Sequence, residues 1–189
     1  GGGSALLCWP LDECRQGLKL YEAVIKTGAD IKELNTVRKH ISGFKGGWLA
    51  KAAYPATVVN LILSDVVGDP LDFIASGPTV PDTTTFGDAV EILKHHELWN
   101  TVPDSVRDEL TDGEKGLVPE TPKPGDKVFK KVHNIVVGNN FTASRAAYDC
   151  YRKSGLNSLL LTSTLEGQAR DVGTVLASMA HEIVESGHP

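Results

Sequence analysis

The chain has 189 residues, with 19 lysines and arginines against 24 aspartates and glutamates and a net charge of −5. A chain of this length can bury a core of its own, which argues against fibrous, disordered and peptide-scale proteins. The acidic balance argues against a general nucleic-acid-binding protein, because phosphate contacts require a basic face. It leaves room for a small anionic substrate held by a few local cations.

The chain opens on Gly1, Gly2, Gly3 and Ser4, followed by helix-forming residues. Such glycines let backbone N–H groups turn around an anion, and a following helix adds the positive end of its dipole. The same four residues also form a common engineered linker, so these residues alone leave both interpretations open. The three cysteines, Cys8, Cys14 and Cys150, have neither disulfide-framework nor zinc-site spacing, and we expect reduced thiols.

Two helices are predicted near the start of the chain. Apolar residues recur at steps of three and four from Leu11 to Ile25, and Gly28 is placed to end this first helix. Asp30 and Glu33 then form a capping-box pattern for a second helix, which we expect to end near Gly43.

Strands and helices are predicted to alternate through the rest of the chain. Residues 57–63 are short, apolar and β-branched, as in a strand buried on both faces of a parallel sheet, and similar runs occur at 135–137 and 159–161. Helical patterns cover 89–93, 141–152 and 169–183, the first capped by Asp82 or a threonine and the last ended by Gly187. Residues 111–128 are rich in proline and glycine and predict a surface loop within the domain. The alternation indicates an α/β fold.

Three cations lie close together in the sequence. Arg38 and Lys39 follow Asn35 on the flanks of the second predicted helix, and Lys45 precedes two glycines in a loop expected to be flexible. Arginine binds phosphate or carboxylate bidentately, and lysine acts as a point charge. The alternative is a solvated helix end at which the helix dipole favours cations.

Two aspartates follow the strongest strand pattern. Asp65 and Asp69 flank Gly68 just beyond residue 63, and ligands of open α/β sheets bind beyond the carboxyl ends of strands. The pair could hold Mg²⁺, or one carboxylate could orient or deprotonate a hydroxyl; an Asx turn with a helix cap is the alternative. Ser76 and Thr79 lie in a hydroxyl-rich loop suited either to polar ligands or to capping.

Five segments in order resemble the class II glycerate kinase family, whose members carry a MOFRL domain and were often labelled hydroxypyruvate reductases. These segments are GGGSALL, LNTVRKHISGFKGG, LILSDVVGD, IASGPTVPDTTTF and ETPKPGD. The resemblance is strong from Gly1 to about Asp126 and looser beyond, and it favours native sequence over a linker at Gly1 to Ser4. Family members carry a lysine-bearing glycine segment before GGGSALL, which this chain lacks, and we expect the chain to correspond to the middle of such a protein.

The resemblance implies ATP-dependent phosphorylation of D-glycerate, to 2-phosphoglycerate or 3-phosphoglycerate, with Mg²⁺. It implies a Rossmann-like layered sheet, mostly parallel with helices on both faces, in a larger two-domain protein. Residues 1–189 would then be a partial N-terminal domain without the MOFRL domain. This part would be inactive alone if the lysine of the family's upstream glycine segment is essential. The partners implied are D-glycerate and ATP, without nucleic acid or membrane, in a cytoplasmic or mitochondrial protein that could be a homodimer.

The resemblance also implies roles for particular residues. Asp65, Lys45 and Arg38 would be catalytic, and Asp65 and Asp69 would bind the metal. Substrate or phosphate would be bound by the remaining candidates: Gly1, Gly2, Gly3, Ser4, Asn35, Lys39, Ser76 and Thr79. Two alternatives stay open, an NAD(P)H-dependent hydroxypyruvate reductase and a non-catalytic ligand-binding module. The lack of a complete G-x-G-x-x-G motif argues against the reductase.

Overall fold

The computed structural model describes residues 14–187, with side chains from residue 17 onward. The predictions for Gly1 to Ser4, for Cys8 and for the beginning of the first helix therefore lie outside the described residues. The chain divides into two compact units, the first ending at Asn139 and the second beginning at Asn140.

The first unit has a helical core. Its helices are α1 (Cys14–Lys26), α2 (Ile31–His40), α3 (Trp48–Ala53), α4 (Phe86–His95) and α5 (Asp104–Glu114), with short 3-10 turns at Ile74–Ser76, Trp99–Thr101 and Lys127–Lys131. The buried apolar residues that join them come mainly from α1, α2, α4 and α5, and include Val24, Val37, Leu93 and Leu110. Each of these four is fully buried or almost so, and together they fix α2 within the unit.

The predicted capping of α2 is confirmed. The Asp30 side chain accepts hydrogen bonds from the backbone N–H groups of Lys32 and Glu33, and the Glu33 carboxylate accepts one from the backbone of Asp30. This reciprocal pair satisfies N–H groups that would otherwise lack partners in the first turn. Gly28, which follows α1, has a φ of 83°, as predicted for a glycine that ends a helix.

Helix α4 begins where predicted, with a threonine as its cap. Thr85 is the N-cap and forms a capping box with Asp88. Asp82, the other predicted cap, is instead buried and binds elsewhere in the unit.

Helix α5 extends into the segment predicted to be a surface loop. Its Gly113 lies against the ring of Phe86, so closely that an added Cβ would be 2.2 Å from Phe86 Cγ. The glycine therefore permits close packing of α5 on α4 rather than marking a loop. Residues 115–126 have neither helix nor strand, as predicted, but the expected surface position is wrong for Thr121, which is only 1% exposed.

The sheet of the first unit consists of strands β1 (Val58–Leu63) and β2 (Val132–Gly138), which pair in parallel. The predicted α/β class and the parallel pairing are confirmed. Burial on both faces of β1 is wrong, because Val59, Leu61 and Leu63 are 59%, 65% and 71% exposed. Only the alternate residues turn toward the unit's interior, where Ile62 is buried.

The second unit contains α6 (Asn140–Lys153) and α7 (Ala169–Ser186). Both helices confirm the sequence predictions, and Gly187 caps α7 with a φ of 70°. The predicted strand at 159–161 is wrong: these residues pair with no strand in the part of the chain that the structure describes, and Leu159 and Leu161 are 76% and 63% exposed. A strand requires a hydrogen-bonding neighbour, and an apolar run does not specify one. Among the described residues, no helix has the length and apolar character needed to cross a membrane.

Candidate functional site

The carboxyl ends of β1 and β2 bring two predicted polar segments together. Ser64 donates its backbone N–H to Gly138 O over 2.9 Å, and Asn139 Nδ2 donates to Asp69 Oδ2 over 2.6 Å. Hydrogen bonds from Ser64 and Asn139 lower the pKa of the Asp69 carboxyl. Asp69 is therefore an anion at neutral pH, next to an exposed Asp65 on the same loop.

The two carboxylates at this edge, Asp65 and Asp69, can be compared with what Mg²⁺ requires in proteins. Within residues 14–187 no group of three or more histidines, cysteines, aspartates or glutamates could hold a metal. Mg²⁺ in phosphoryl-transfer sites is bound by only one or two carboxylates, with substrate phosphates and waters completing its shell. Asp65 and Asp69 match that smaller requirement.

The loop that follows Asp69 contains unusual backbone conformations. Asp69, Ala75 and Ser76 have φ values of 52°, 53° and 59°, in a region that non-glycine residues seldom adopt. Such residues cost about 1–3 kcal/mol each and cluster at functional sites. Their occurrence between two predicted binding segments marks this loop as part of the candidate site.

The turn at Lys45 holds this strained loop in place. Gly46 N donates to Ser76 O over 2.9 Å, and Gly47 N donates to Gly77 O over 2.8 Å. The expectation of a flexible glycine loop is wrong, because these two backbone N–H groups are already engaged. Gly47 is also packed tightly: an added Cβ would be 2.9 Å from Val80 O.

Asn35 and Ser76, two predicted substrate-binding residues, are in direct contact. Ser76 Oγ donates to Asn35 Oδ1 over 2.9 Å, and the two residues are 1% and 0% exposed. Within residues 14–187, the buried Asn35 Nδ2 has no hydrogen-bond partner. Buried amide donors are nearly always satisfied, so this group is an unusual feature of the site.

Thr79 belongs to a separate polar cluster that joins the strands to the loop. Its hydroxyl donates to Asn134 Oδ1 over 2.6 Å and accepts from Asn60 Nδ2 over 3.0 Å. Asn134 Nδ2 donates in turn to Thr79 O over 3.2 Å. The cluster fixes residue 79 against both strands, and Thr79 is only 3% exposed.

The three predicted cations differ in their surroundings. Lys39 is buried, and its Nζ lies 3.2 Å from Asp82 Oδ1. The half-buried Arg38 guanidinium lies 5.2 Å from the centre of the Tyr21 ring. Lys45 is 1% exposed. The Lys39 charge is thus balanced within the protein, whereas Arg38 keeps access to solvent.

The sequence did not predict the ionic network to which Lys39 belongs. The network consists of Lys39, His40, Asp82, Glu120 and Thr121. Asp82 Oδ2 accepts from Thr121 Oγ1 over 3.1 Å, and His40 Nε2 lies 3.0 Å from Glu120 Oε1. The sequence signals were the segments of the family resemblance: Lys39 and His40 lie in LNTVRKHISGFKGG, Asp82 in IASGPTVPDTTTF, and Glu120 and Thr121 in ETPKPGD.

Glu120 is the carboxylate that links this network to α4. Partial burial raises the pKa of Glu120, but hydrogen bonds from His40 and from the backbone N–H groups of Phe86 and Thr121 outweigh burial and lower it to about 2. Its Oε2 lies 3.1 Å from Phe86 N in the first turn of α4, where the helix dipole favours an anion.

Comparison with known proteins places this arrangement in context. The model of the family described as "Domain of unknown function (DUF4147)" matches residues 1–111. The chain is similar to the glycerate 2-kinase of Pyrococcus horikoshii, with 45% identity over 191 residues that cover 100% of this chain and 42% of the relative.

The chain is also similar to solved structures. The chain is similar to the crystal structure of glycerate kinase from Thermotoga maritima, with a TM-score of 0.78 and 37% identity, covering 100% of this chain and 43% of that one. A crystal structure of a Pyrococcus horikoshii OT3 protein matches with a TM-score of 0.74 and 43% identity, again covering 43% of that chain. The chain therefore spans less than half the length of these relatives.

Proposed function

Because the chain belongs to the DUF4147 family, we propose that it is part of a glycerate kinase that transfers the γ-phosphoryl group of ATP to D-glycerate. The observation that carries the proposal is similarity over the whole chain to enzymes named glycerate kinase. The product proposed is 2-phosphoglycerate, in agreement with the names of the glycerate 2-kinase of Pyrococcus horikoshii and the D-glycerate 2-kinase of Thermotoga maritima.

Asp65 and Asp69 are proposed to act on the nucleotide through Mg²⁺. Asp69 is held in its ionised form by Ser64 and Asn139, so it can stay a ligand at neutral pH. A bound Mg²⁺ would supply neutralisation of negative charge on the phosphate oxygens. Asp65, exposed on the same loop, is proposed to act either as the second metal ligand or as the base that accepts the substrate hydroxyl proton.

Arg38 is proposed to contact an anionic group directly. The residue is half-buried, its guanidinium lies 5.2 Å from the centre of the Tyr21 ring, and arginine binds carboxylate and phosphoryl groups through paired donors. Lys45 is proposed to contribute positive charge to the same site. Phosphoryl transfer depends mainly on such positioning and charge neutralisation.

The buried candidates are proposed to form a layer beneath the substrate. Asn35 and Ser76 join α2 to the strained loop, and Thr79 joins that loop to both strands. Lys39, which is buried and paired with Asp82, is proposed to contribute to phosphate binding through the positive charge of its ammonium group. Gly1 to Ser4 remain a predicted phosphate loop outside the described residues.

The proposal is tested by measuring ADP formation by the intact parent protein in the presence of ATP and Mg²⁺, with and without D-glycerate. We expect Asp65→Asn to lower kcat by about a hundredfold, in the range that loss of a general base or charge partner produces. Asp72→Asn is the matched control, because Asp72 is an exposed aspartate on the same loop. ADP formation that is independent of D-glycerate would exclude glycerate as the substrate. An unchanged rate in Asp65→Asn would exclude Asp65 as metal ligand or base.

Two predictions about the wider context accompany this function. A cytoplasmic location and a homodimer stay predictions from the family resemblance, to be checked by fractionation and light scattering. Consumption of NAD(P)H with hydroxypyruvate would favour the reductase alternative, and ATP binding without turnover would favour the binding module. The NAD(P)H-consumption and ATP-binding assays use the same protein preparation as the ADP assay.

A further inference from the structure

Helix α2 carries one histidine–glutamate contact at each end. Near its start, Glu33 Oε2 lies 3.1 Å from His96 Nε2, with the two side chains 30% and 14% exposed. At its last residue, His40 Nε2 lies 3.0 Å from Glu120 Oε1, and the His40 side chain is fully buried. The two contacts have similar lengths and different surroundings, which makes one a natural control for the other.

The His40 ring is fixed by groups that only accept hydrogen bonds. Nδ1 lies 2.8 Å from Thr36 O on the preceding turn, and Nε2 faces Glu120 at 3.0 Å and Asp82 Oδ2 at 3.8 Å. A carbonyl oxygen and two carboxylates thus face the two ring nitrogens, and all of them accept hydrogen bonds. The centres of the His40 and Phe86 rings lie 4.9 Å apart, and the two rings meet edge to face.

Glu120 connects this histidine to two other parts of the unit. It accepts from Phe86 N at 3.1 Å in α4 and from Thr121 N at 2.9 Å in its own loop. Lys123 Nζ lies 3.5 Å from the same carboxylate, and Lys39 faces Asp82, so the charges around His40 are balanced in pairs. The end of α2 is therefore tied to the start of α4 through one carboxylate.

The same cluster supports the candidate site. An added Cβ on Gly46 would lie 3.1 Å from Lys39 Cβ and 3.3 Å from Thr121 Cγ2, so the turn at Gly46 rests directly on the network. Gly46 N in turn holds Ser76 O in the strained loop. Arg38 lies in the last turn of α2, two residues before His40. A displacement of His40 would therefore shift both Arg38 and the loop at Ser76.

We infer that His40 and Glu120 are positioning residues for phosphoryl transfer: their contact fixes the end of α2 so that Arg38 and the loop at Ser76 keep the geometry the reaction needs. The inference rests on the proposed function. Positioning partners behind directly acting groups typically contribute about 10–100-fold to activity. Small displacements of reacting groups have effects of similar size.

The test compares substitutions at the two histidines. His40→Asn retains a donor toward Thr36 O and loses the donor toward Glu120, whereas His40→Gln retains a donor toward Glu120. We expect His40→Asn to lower kcat about tenfold with KM changed by less than about threefold, and His40→Gln to recover most of that loss. His96→Asn, the matched control at the other end of α2, should leave kcat within about twofold.

A second readout does not depend on activity. Amide hydrogen exchange at residues 75–77 should accelerate in His40→Asn, stay slow in His40→Gln and be unaffected by His96→Asn. If His40→Asn does not fold, Glu120→Gln replaces it in both measurements with the same expectation. Wild-type kcat in a folded His40→Asn protein, or an equal loss in His96→Asn, would overturn the inference. Absence of wild-type turnover would overturn the proposed function instead, and the exchange comparison would still decide whether the contact positions the loop.

Discussion

Replacing Asp82 with asparagine removes the carboxylate that balances a buried lysine. Asp82 is 1% exposed and Lys39 is 5% exposed, with 3.2 Å between Lys39 Nζ and Asp82 Oδ1. Oδ1 also accepts from Thr84 N at 3.1 Å and from Thr84 Oγ1 at 2.8 Å. Asparagine can keep these last two bonds through its own oxygen, but its amide group replaces the Oδ2 that accepts from Thr121 Oγ1, so one hydrogen bond is lost together with the charge. Removing one partner of a buried ion pair costs about 3–5 kcal/mol, and we expect a loss in that range.

The assay is urea denaturation at neutral pH of the wild type, Asp82→Asn, Lys39→Met and the double variant. We expect the double variant to be less destabilised than the sum of the two single variants, with a coupling free energy of at least about 1 kcal/mol. Asp72→Asn, exposed on the neighbouring loop, should change the free energy of unfolding by less than about 0.5 kcal/mol. A loss below about 1 kcal/mol in Asp82→Asn, or strict additivity, would refute the reasoning.

Three further perturbations test other parts of the fold. The pKa of Glu120 is about 2 in the folded protein against an ordinary 4.5, so the stability that its carboxylate contributes is complete above pH 4.5 and is lost as the pH falls toward 2. Because the side chain is 33% exposed, we expect this contribution to be about 1–2 kcal/mol. It is measured as the difference between wild type and Glu120→Gln in the loss of unfolding free energy at acid pH. Gly47→Ala should destabilise the protein by about 1–3 kcal/mol in urea titrations, because φ is 86° and the new Cβ would meet Val80 O; a neutral effect would show that the turn can shift. Asp30→Ala should cost about 1 kcal/mol by removing the cap of α2, and a thermal midpoint equal to the wild type would contradict that role.

The helices were predictable because their signals are local. Asp30 and Glu33 are three residues apart, so the capping box of α2 can be read from four consecutive positions. Helix α5 was not predicted, since Gly113 resembles a loop residue until Phe86, distant in sequence, is known to pack against it. The run at 159–161 has strand composition, but pairing depends on a neighbour that composition does not name.

The candidate site was predictable to the extent that topology determines it. The rule that ligands bind beyond the carboxyl ends of parallel strands led to Asp65 and Asp69, and the structure brings Asn139 from the neighbouring strand to Asp69. The network of Lys39, His40, Asp82 and Glu120 was not predicted. Its contacts join residues 43 and 80 positions apart, and in the sequence these side chains are typical of helix ends and loops.

The most direct measurement follows the phosphoryl group itself. The protein as encoded is incubated with Mg²⁺, D-glycerate and ATP labelled in the γ-phosphoryl group, and the labelled products are separated. A glycerate kinase should place the label in phosphoglycerate, with the rate reduced about a hundredfold in Asp65→Asn and retained in Asp72→Asn. Label found only in ATP and inorganic phosphate, or equal transfer by the Asp65→Asn variant, would contradict the account.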